Sequence, residues 1–406
     1  MTYASFEMIP PATENTARIA VAPRSVARSS RNIVRPLEEG DLDGVARLFL
    51  SRFRGKRASS DERARTEVAN YMKQLYFEGP GSEAGAASLV QVGARGEIGA
   101  FIGLIRTTYL LDGKPLTAGI KGAFMAAPEA ENSFAAIELL REMHRRPLDL
   151  IFTDSANRSS LLLCRALKYK VMSPESLEWA FVFEPAALAF HKLRQRWPLA
   201  APRILQPLAG AADFAAKRAL GKHLRRGSLA GSSSIEIDAS KFVELAPQFL
   251  EHFRLRPEWS SHELEWLTTK AAQRRSAGPL HFHLVRDSSG NPVGCYAFYG
   301  EKGGVARVIH AAATNKGWEG MIGHILNTAE AMGCIGVHGA MRKGMMPHVY
   351  AIRGMFFYYA AATMVYSNRA DVLDAVENGE AFVGGFAGDR WTRLATDEFG
   401  GASARL

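Results

Sequence analysis

Ile120–Met172 reads IKGAFMAAPEAENSFAAIELLREMHRRPLDLIFTDSANRSSLLLCRALKYKVM, and the order of apolar patterns within it decides the fold. An apolar run ends at Pro128. Phe134, Ile137, Leu140 and Met143 follow at helical spacing and predict an amphipathic helix. Leu148–Thr153 is a short apolar run of strand length, and Asn157 opens a second helical segment that ends near Leu167. Strand, helix, strand, helix is the order of a mixed α/β domain.

Upstream, Ile33–Arg54 predicts a short strand, a turn and a helix capped by Asp41. Leu42, Val45, Leu48, Phe49 and Phe53 form the apolar face of that helix. The charged stretch Arg57–Lys73 continues as a solvated helix. Ala87–Gly93 and Ile98–Thr107 are β-rich runs joined at Arg95-Gly96. Asp112-Gly113 is a hairpin signal that leads into the strand Leu116–Met125. Leu177–Glu184 is expected to close this first domain with another strand.

The second half restarts the first. Leu42–Arg54 reads LDGVARLFLSRFR and Phe242–Arg254 reads FVELAPQFLEHFR. Ala46, Phe49, Leu50, Phe53 and Arg54 recur as Ala246, Phe249, Leu250, Phe253 and Arg254. Strands at His281–Arg286, Pro292–Phe298 and Val305–Ala311 follow, then a helix at Gly317–Met332, a strand at Cys334–His338 and a short helix at Pro347–Arg353. Recurrence of a whole strand-helix pattern predicts two copies of one domain, at 33–184 and 235–394. A tail at 1–32, a basic helical linker at 185–234 and a second tail at 395–406 complete the plan.

Composition agrees with a globular chain: 406 residues, 47% hydrophobic and 22% charged, suit two cores rather than one. No apolar run reaches the length of a membrane span, and the first 30 residues lack the apolar centre of a secretory signal. Cys164, Cys295 and Cys334 are scattered, which points to a reducing cytoplasm and to no zinc site. His281 and His283 share a strand face but have no third ligand, so no metal is expected. Pro185–Gly231 holds nine Lys or Arg against the single acid Asp213, so nearly all of the net charge of +9 is concentrated there.

This element order resembles the GNAT acyltransferase fold, in which acyl-CoA meets the start of the first helix of the organising stretch. The resemblance places a pyrophosphate-binding loop, Gln or Arg followed by spaced Gly or Ala residues, just after the central strand. Backbone N–H groups at a helix start suit that task. In the first half the corresponding positions are Glu131, Asn132, Ser133, Phe134 and Ala136. Glu129 and Glu131 repel phosphate, yet as ordinary helix-start residues they are favourable. In the second half Gly317, Gly320 and Gly323 follow Lys316, and serve either phosphate or close helix packing. The family's next pattern, an Asn followed by a Tyr on a helix, maps to Asn157 and Cys164 in the first half and to Tyr350 with Gly354 in the second. Asn157 is a CoA-orienting residue or a helix cap; Tyr350 is the acid for the departing thiolate or a packed ring. His310, at the end of VARVIH, is the candidate base or a core histidine.

Tandem GNAT proteins of this plan include CelD-like acyltransferases of exopolysaccharide production and FemAB-type transferases that use aminoacyl-tRNA. The resemblance therefore implies an α/β chain of two GNAT-like domains that moves an acyl group from acetyl-CoA or another acyl-CoA to a small-molecule or glycan acceptor. The acceptor would sit between the copies, with Tyr350 as acid and His310 as base. An aminoacyl-tRNA-dependent transferase and a non-catalytic repeat that binds a glycan or a protein stand as alternatives. Residues 192–226 would then contact tRNA or an anionic membrane surface, or serve as a solvated linker. The expected location is cytoplasmic, at the periphery of the inner membrane.

Overall fold

The computed structural model describes residues 32–82, 87–127, 134–196, 229, 231–274, 276, 278–395 and 399. Its strands in the first half are β1 (Ile33–Pro36), β2 (Leu89–Val92), β3 (Ile98–Leu111), β4 (Lys114–Ala126), β5 (Leu150–Ala156), β6 (Lys170–Met172) and β7 (Leu177–Val182). Those of the second half are β8 (Ser233–Ile237), β9 (Leu255–Pro257), β10 (Leu280–Arg286), β11 (Pro292–Tyr299), β12 (Val305–Ala313), β13 (Gly336–Ala340), β14 (Phe356–Tyr359) and β15 (Ala362–Tyr366).

These strands build two mixed sheets. The first runs β1-β2-β3-β4-β5-β15-β6, with β9 added alongside β3; the second runs β8-β10-β11-β12-β13-β7-β14. Each begins as an antiparallel meander and contains one parallel pair, β4 with β5 and β12 with β13. The hairpin between β3 and β4 closes at Asp112 and Gly113, whose φ values of 50° and 79° are those of a two-residue turn with both central residues left-handed.

The two sheets follow the same order with one strand traded. Leu177–Glu184, expected to close the first sheet, instead supplies β7, which lies between β13 and β14 of the second. In return β15 enters the first sheet between β5 and β6. Packing accounts for the placement of β7. Trp179 is fully buried in the second core, and its ring stands where a side chain on Gly339 of β13 would go. Only a glycine leaves that space.

The helix Leu42–Phe53 buries Val45, Ala46, Phe49 and Leu50. Its counterpart buries Ala246, Phe249 and Leu250 but is split into an α-helix Ala239–Leu245 and a 3₁₀ turn Ala246–Leu250, because Pro247 lacks the N–H that the α ladder needs. These helices, with Glu62–Tyr76 and Ser261–Ala272, share one apolar core with the strands of both sheets; it includes Phe101, Phe152, Phe282, Phe386 and Trp391. A second cluster packs Ala135–His144 and Cys164 against the first sheet, and a third packs Trp318–Ala331 against the second. The C-terminal segment 382–395 passes through the shared core, which decides where the functional site lies. Of the basic segment, the helix Pro185–Arg196 is described, and residues 197–226 lie outside the described residues.

Candidate active site

Parallel strands β4 and β5 pair only from Ala118 with Leu150 to Ile120 with Phe152. Both continue, β4 to Ala126 and β5 to Ala156, so beyond Ile120 they part. β5 stays with β15, which pairs as far as Ala362 with Ala156, and the gap opens on the β4 side. At the same point β4 bulges against β3. Phe101 faces Met125 and Gly103 faces Gly122, leaving Ala123 and Phe124 opposite Ile102 alone. Ala123 has φ of 48°, an uncommon conformation for a residue with a side chain.

A cavity of about 360 Å³ opens at this gap. The first sheet supplies Lys121, Gly122, Ala123 and Phe124 from β4 and Thr153, Ser155 and Ala156 from β5, followed by Asn157 and Ser160. Phe49, Phe53 and Arg54 form part of the wall at the end of the first helix. The second sheet contributes Glu178 of β7 and Arg307 of β12, and the C-terminal segment contributes Asp389, Arg390 and Thr392.

Two acids face this cavity, and both are tied to the chain. Asp389 Oδ1 accepts from Thr153 Oγ1 and from the Asp154 N–H, each at 3.2 Å, and its Oδ2 accepts from the Ser155 hydroxyl. Burial, and then the neighbouring Asp154 carboxylate, push the Asp389 carboxyl well above its ordinary range. Glu178 binds Arg390 Nη1 through Oε1 at 2.8 Å, and its Oε2 lies 2.6 Å from the Tyr358 hydroxyl and 3.0 Å from His338 Nδ1. Burial alone would raise Glu178; the hydrogen bonds from His338 and Tyr358 and the Arg390 charge overcome it and hold the carboxyl down at about 2. Two acids whose proton affinities are shifted in opposite directions thus stand at one cavity.

Strands β12 and β13 of the second sheet also part, since pairing ends at Val308 with Gly339 while β12 continues to Ala313. Here the C-terminal segment packs against the diverging strand. The Phe386 N–H points at His310 Nδ1 at 3.5 Å, the two rings stack with centroids 5.3 Å apart, and a side chain on Gly385 would collide with His310. His310 is 1% exposed, enclosed by Phe242, Trp259, Phe382 and Phe386. Burial and then the adjacent Arg342 charge push its pKa down to about 3, so it is a neutral core residue and does not line the cavity.

Other candidates from the sequence are placed as follows. Tyr350 is 52% exposed, stacks edge-on against Phe357 at 4.7 Å and is not part of the cavity wall. Asn157 caps the helix Arg158–Ala166 by accepting from the Ser160 N–H at 2.9 Å, and it also lines the cavity. Cys164 is fully buried behind the wall, where its sulfur takes a hydrogen bond from Lys121 Nζ at 3.0 Å. Glu131, Asn132 and Ser133 lie outside the described residues. Phe134, 67% exposed, and the partly buried Ala136 begin the helix Ala135–His144. In the second half, the space that a side chain on Gly317 would take is filled by the Val293 carbonyl, and that of Gly320 by Ser232 and Leu229. Gly323 is buried in the same helix. These contacts show that Gly317 and Gly320 are closely packed.

Among the cavity residues the motifs did not mark are Lys121, Ser155, Glu178, Arg307, Asp389 and Arg390. Two carried a signal: Lys121 is a charge in the interior of an apolar strand, and Asp154-Ser155 breaks the apolar run of β5. The others reach the cavity only through tertiary folding. Among the described residues no group of three or more His, Cys, Asp or Glu is placed to hold a metal ion.

No protein-family model matches the sequence, and no curated protein matches it. Among solved structures, a GCN5-related N-acetyltransferase from Anabaena variabilis ATCC 29413 matches with a TM-score of 0.55 at 12% identity, over 85% of this chain and 75% of that one. A conserved protein of unknown function from Enterococcus faecalis V583, described as a probable N-acyltransferase, matches with a TM-score of 0.51 at 9% identity, over 83% of this chain and 73% of that one. At such identities a likeness carries architecture and nothing finer. Parted central strands in two mixed sheets, together with these likenesses, show that the chain has the GCN5-related N-acetyltransferase fold.

Proposed function

We propose that the chain is an acyl-CoA-dependent N- or O-acyltransferase that takes its donor between β4 and β5. The observation that carries this reading is the parting of those strands beyond Ile120 and Phe152 at a cavity that holds a buried carboxyl. A freed strand edge offers backbone N–H and C=O groups to an extended, amide-bearing arm such as that of CoA. Gly122, Ala123 and Ala156 keep the walls low enough for the arm to approach. The donor's phosphates would lie toward the start of the helix Ala135–His144, after residues 128–133.

In this reading the acceptor's amine or hydroxyl attacks the thioester carbonyl. Ser155 takes its proton and passes one to Asp389; the C–S bond then breaks, and the departing CoA thiolate is protonated from the Asp389 carboxyl, whose raised proton affinity favours holding that proton in between. The bulge at Ala123 and Phe124 frees backbone N–H groups from the β3 ladder to meet the developing oxyanion. The proton chemistry therefore belongs to the first sheet, not to Tyr350 and His310. A glycan or other cell-envelope acceptor is the finer expectation that the CelD-like resemblance supplies.

Thermal unfolding of the full chain with acetyl-CoA and with longer acyl-CoAs tests the donor. Acyl-CoA at 100 times its Kd would add about 2.7 kcal/mol to stability. Ser160→Trp, which places an indole in the cavity from a helix surface, should abolish the shift. Absence of any shift at millimolar acyl-CoA sinks the proposal.

A further inference from the structure

The charges that face the cavity are unequal in a way that has chemical content. Both acids are saturated by the protein itself: Glu178 by Arg390, His338 and Tyr358, and Asp389 by Thr153, Ser155 and the Asp154 N–H. The basic side chains Lys121 and Arg307 are not matched in the same way. Arg307 reaches the cavity from β12 and makes no hydrogen bond or ion pair among the described residues. Lys121 is 2% exposed, and its amino group meets the Cys164 sulfur and the rings of Tyr169 and Phe124, at 4.8 and 5.5 Å from their centroids, with no carboxylate. Lys121 is taken out of water without an acid to match it, and Arg307, half-buried, leaves an unpaired positive charge at the cavity wall.

The two basic groups enter from different sheets. Lys121 belongs to β4, on the first sheet's side, where the donor is placed. Arg307 stands on the second sheet, beside His338 in the β12–β13 register, and lines the cavity from that side. A guanidinium is charged at every working pH and presents a planar fork of donors that fits an oxyanion.

We infer that the acceptor carries an anionic oxygen group, a carboxylate or a phosphate monoester, and that Arg307 receives it. The inference rests on the reading of the cavity as an acyl-transfer site, and it narrows the acceptor to an amine or alcohol bearing that anion.

The test uses the full chain with CoA at saturating concentration, so that the donor's own phosphate positions are filled. Inorganic phosphate and acetate are titrated separately by calorimetry at matched ionic strength, which tells the two anion types apart. At least one of them should bind, Arg307→Gln should weaken it tenfold or more, and Arg307→Lys should recover part of the loss. Glucosamine 6-phosphate against glucosamine, and β-alanine against its amide, extend the comparison to CoA release. A preference for the anionic member that disappears in Arg307→Gln supports the inference. Neither anion binding to the wild type, equal binding in Arg307→Gln, or an Arg307→Gln variant that loses acyl-CoA binding instead, overturns it. Failure of the underlying acyl-transfer reading would look different: the wild type would show no thermal shift with acyl-CoA.

Discussion

Asp154 and Asp389 exchange hydrogen bonds reciprocally, the backbone N–H of each donating to the carboxylate of the other, at 2.8 Å into Asp154 and 3.2 Å into Asp389. They are 235 positions apart in the chain. The exchange fixes the C-terminal segment on the exit of β5 and presents Asp389 to Ser155. It also sets the Asp154 charge beside Asp389, which adds to burial in raising the Asp389 carboxyl.

Asp389→Asn keeps the shape of the side chain and removes the base. Turnover should fall by about 10² or more, while the thermal shift with acyl-CoA remains. The wild-type rate should rise with pH along a limb above the ordinary carboxyl range, and the variant should lack that limb. Full turnover in Asp389→Asn would reduce Asp389 to a structural pin.

Gly388→Ala tests the fit of the same segment. An added methyl would press into the Asp154 carboxylate, and Gly384 and Gly385 on the approach already hold φ of 91° and 66°. The variant should lose about 1–3 kcal/mol, read as a lower denaturant midpoint with an unchanged slope. An unchanged midpoint would show that the segment yields easily.

His310 makes stability depend on pH in a defined direction. Its folded pKa of about 3 lies below the ordinary 6.5, so below pH 6.5 the unfolded chain binds the proton and the folded chain does not. Stability is therefore lost as pH falls from 6.5 toward 3, by about 1.4 kcal/mol per unit at most from this residue. His310→Phe keeps an aromatic ring beside Phe386 and should flatten the dependence between pH 6.5 and 4.5, measured by urea unfolding. An equal slope in both proteins would assign it to other groups.

Tyr350→Phe should leave turnover within twofold of wild type, because the ring is half exposed and outside the cavity wall. A tenfold loss would return Tyr350 to the mechanism. Gly320→Ala should lower the melting temperature through contact with Ser232 while acyl-CoA protection persists, since the proposed donor gap lies in the other sheet.

Local patterns carried most of the architecture into the sequence. Asp112-Gly113 marked its hairpin, Asn157 its helix start, and the recurrence of Phe49 and Leu50 at Phe249 and Leu250 the second half. What sequence could not display was which sheet a strand joins, because β7 and β15 read as equally apolar runs in either location. The site suffered most from this. Motif positions drew attention to His310 and Tyr350, whereas Arg307, Asp389 and Arg390 gain their setting only when β12 and the C-terminal segment come against the first sheet. Lys121 is visible in the sequence as a charge set within an apolar run.

The traded strands have a consequence for how the protein is made. A ribosome releases the first half, through Met172, with an empty slot between β5 and β6. The strand that fills it begins at Ala362, and at roughly 5–20 residues per second it emerges about 10–40 s later. Until then two unsatisfied strand edges are exposed to every neighbouring nascent chain, so the newborn protein should need a chaperone's protection longer than its length alone suggests.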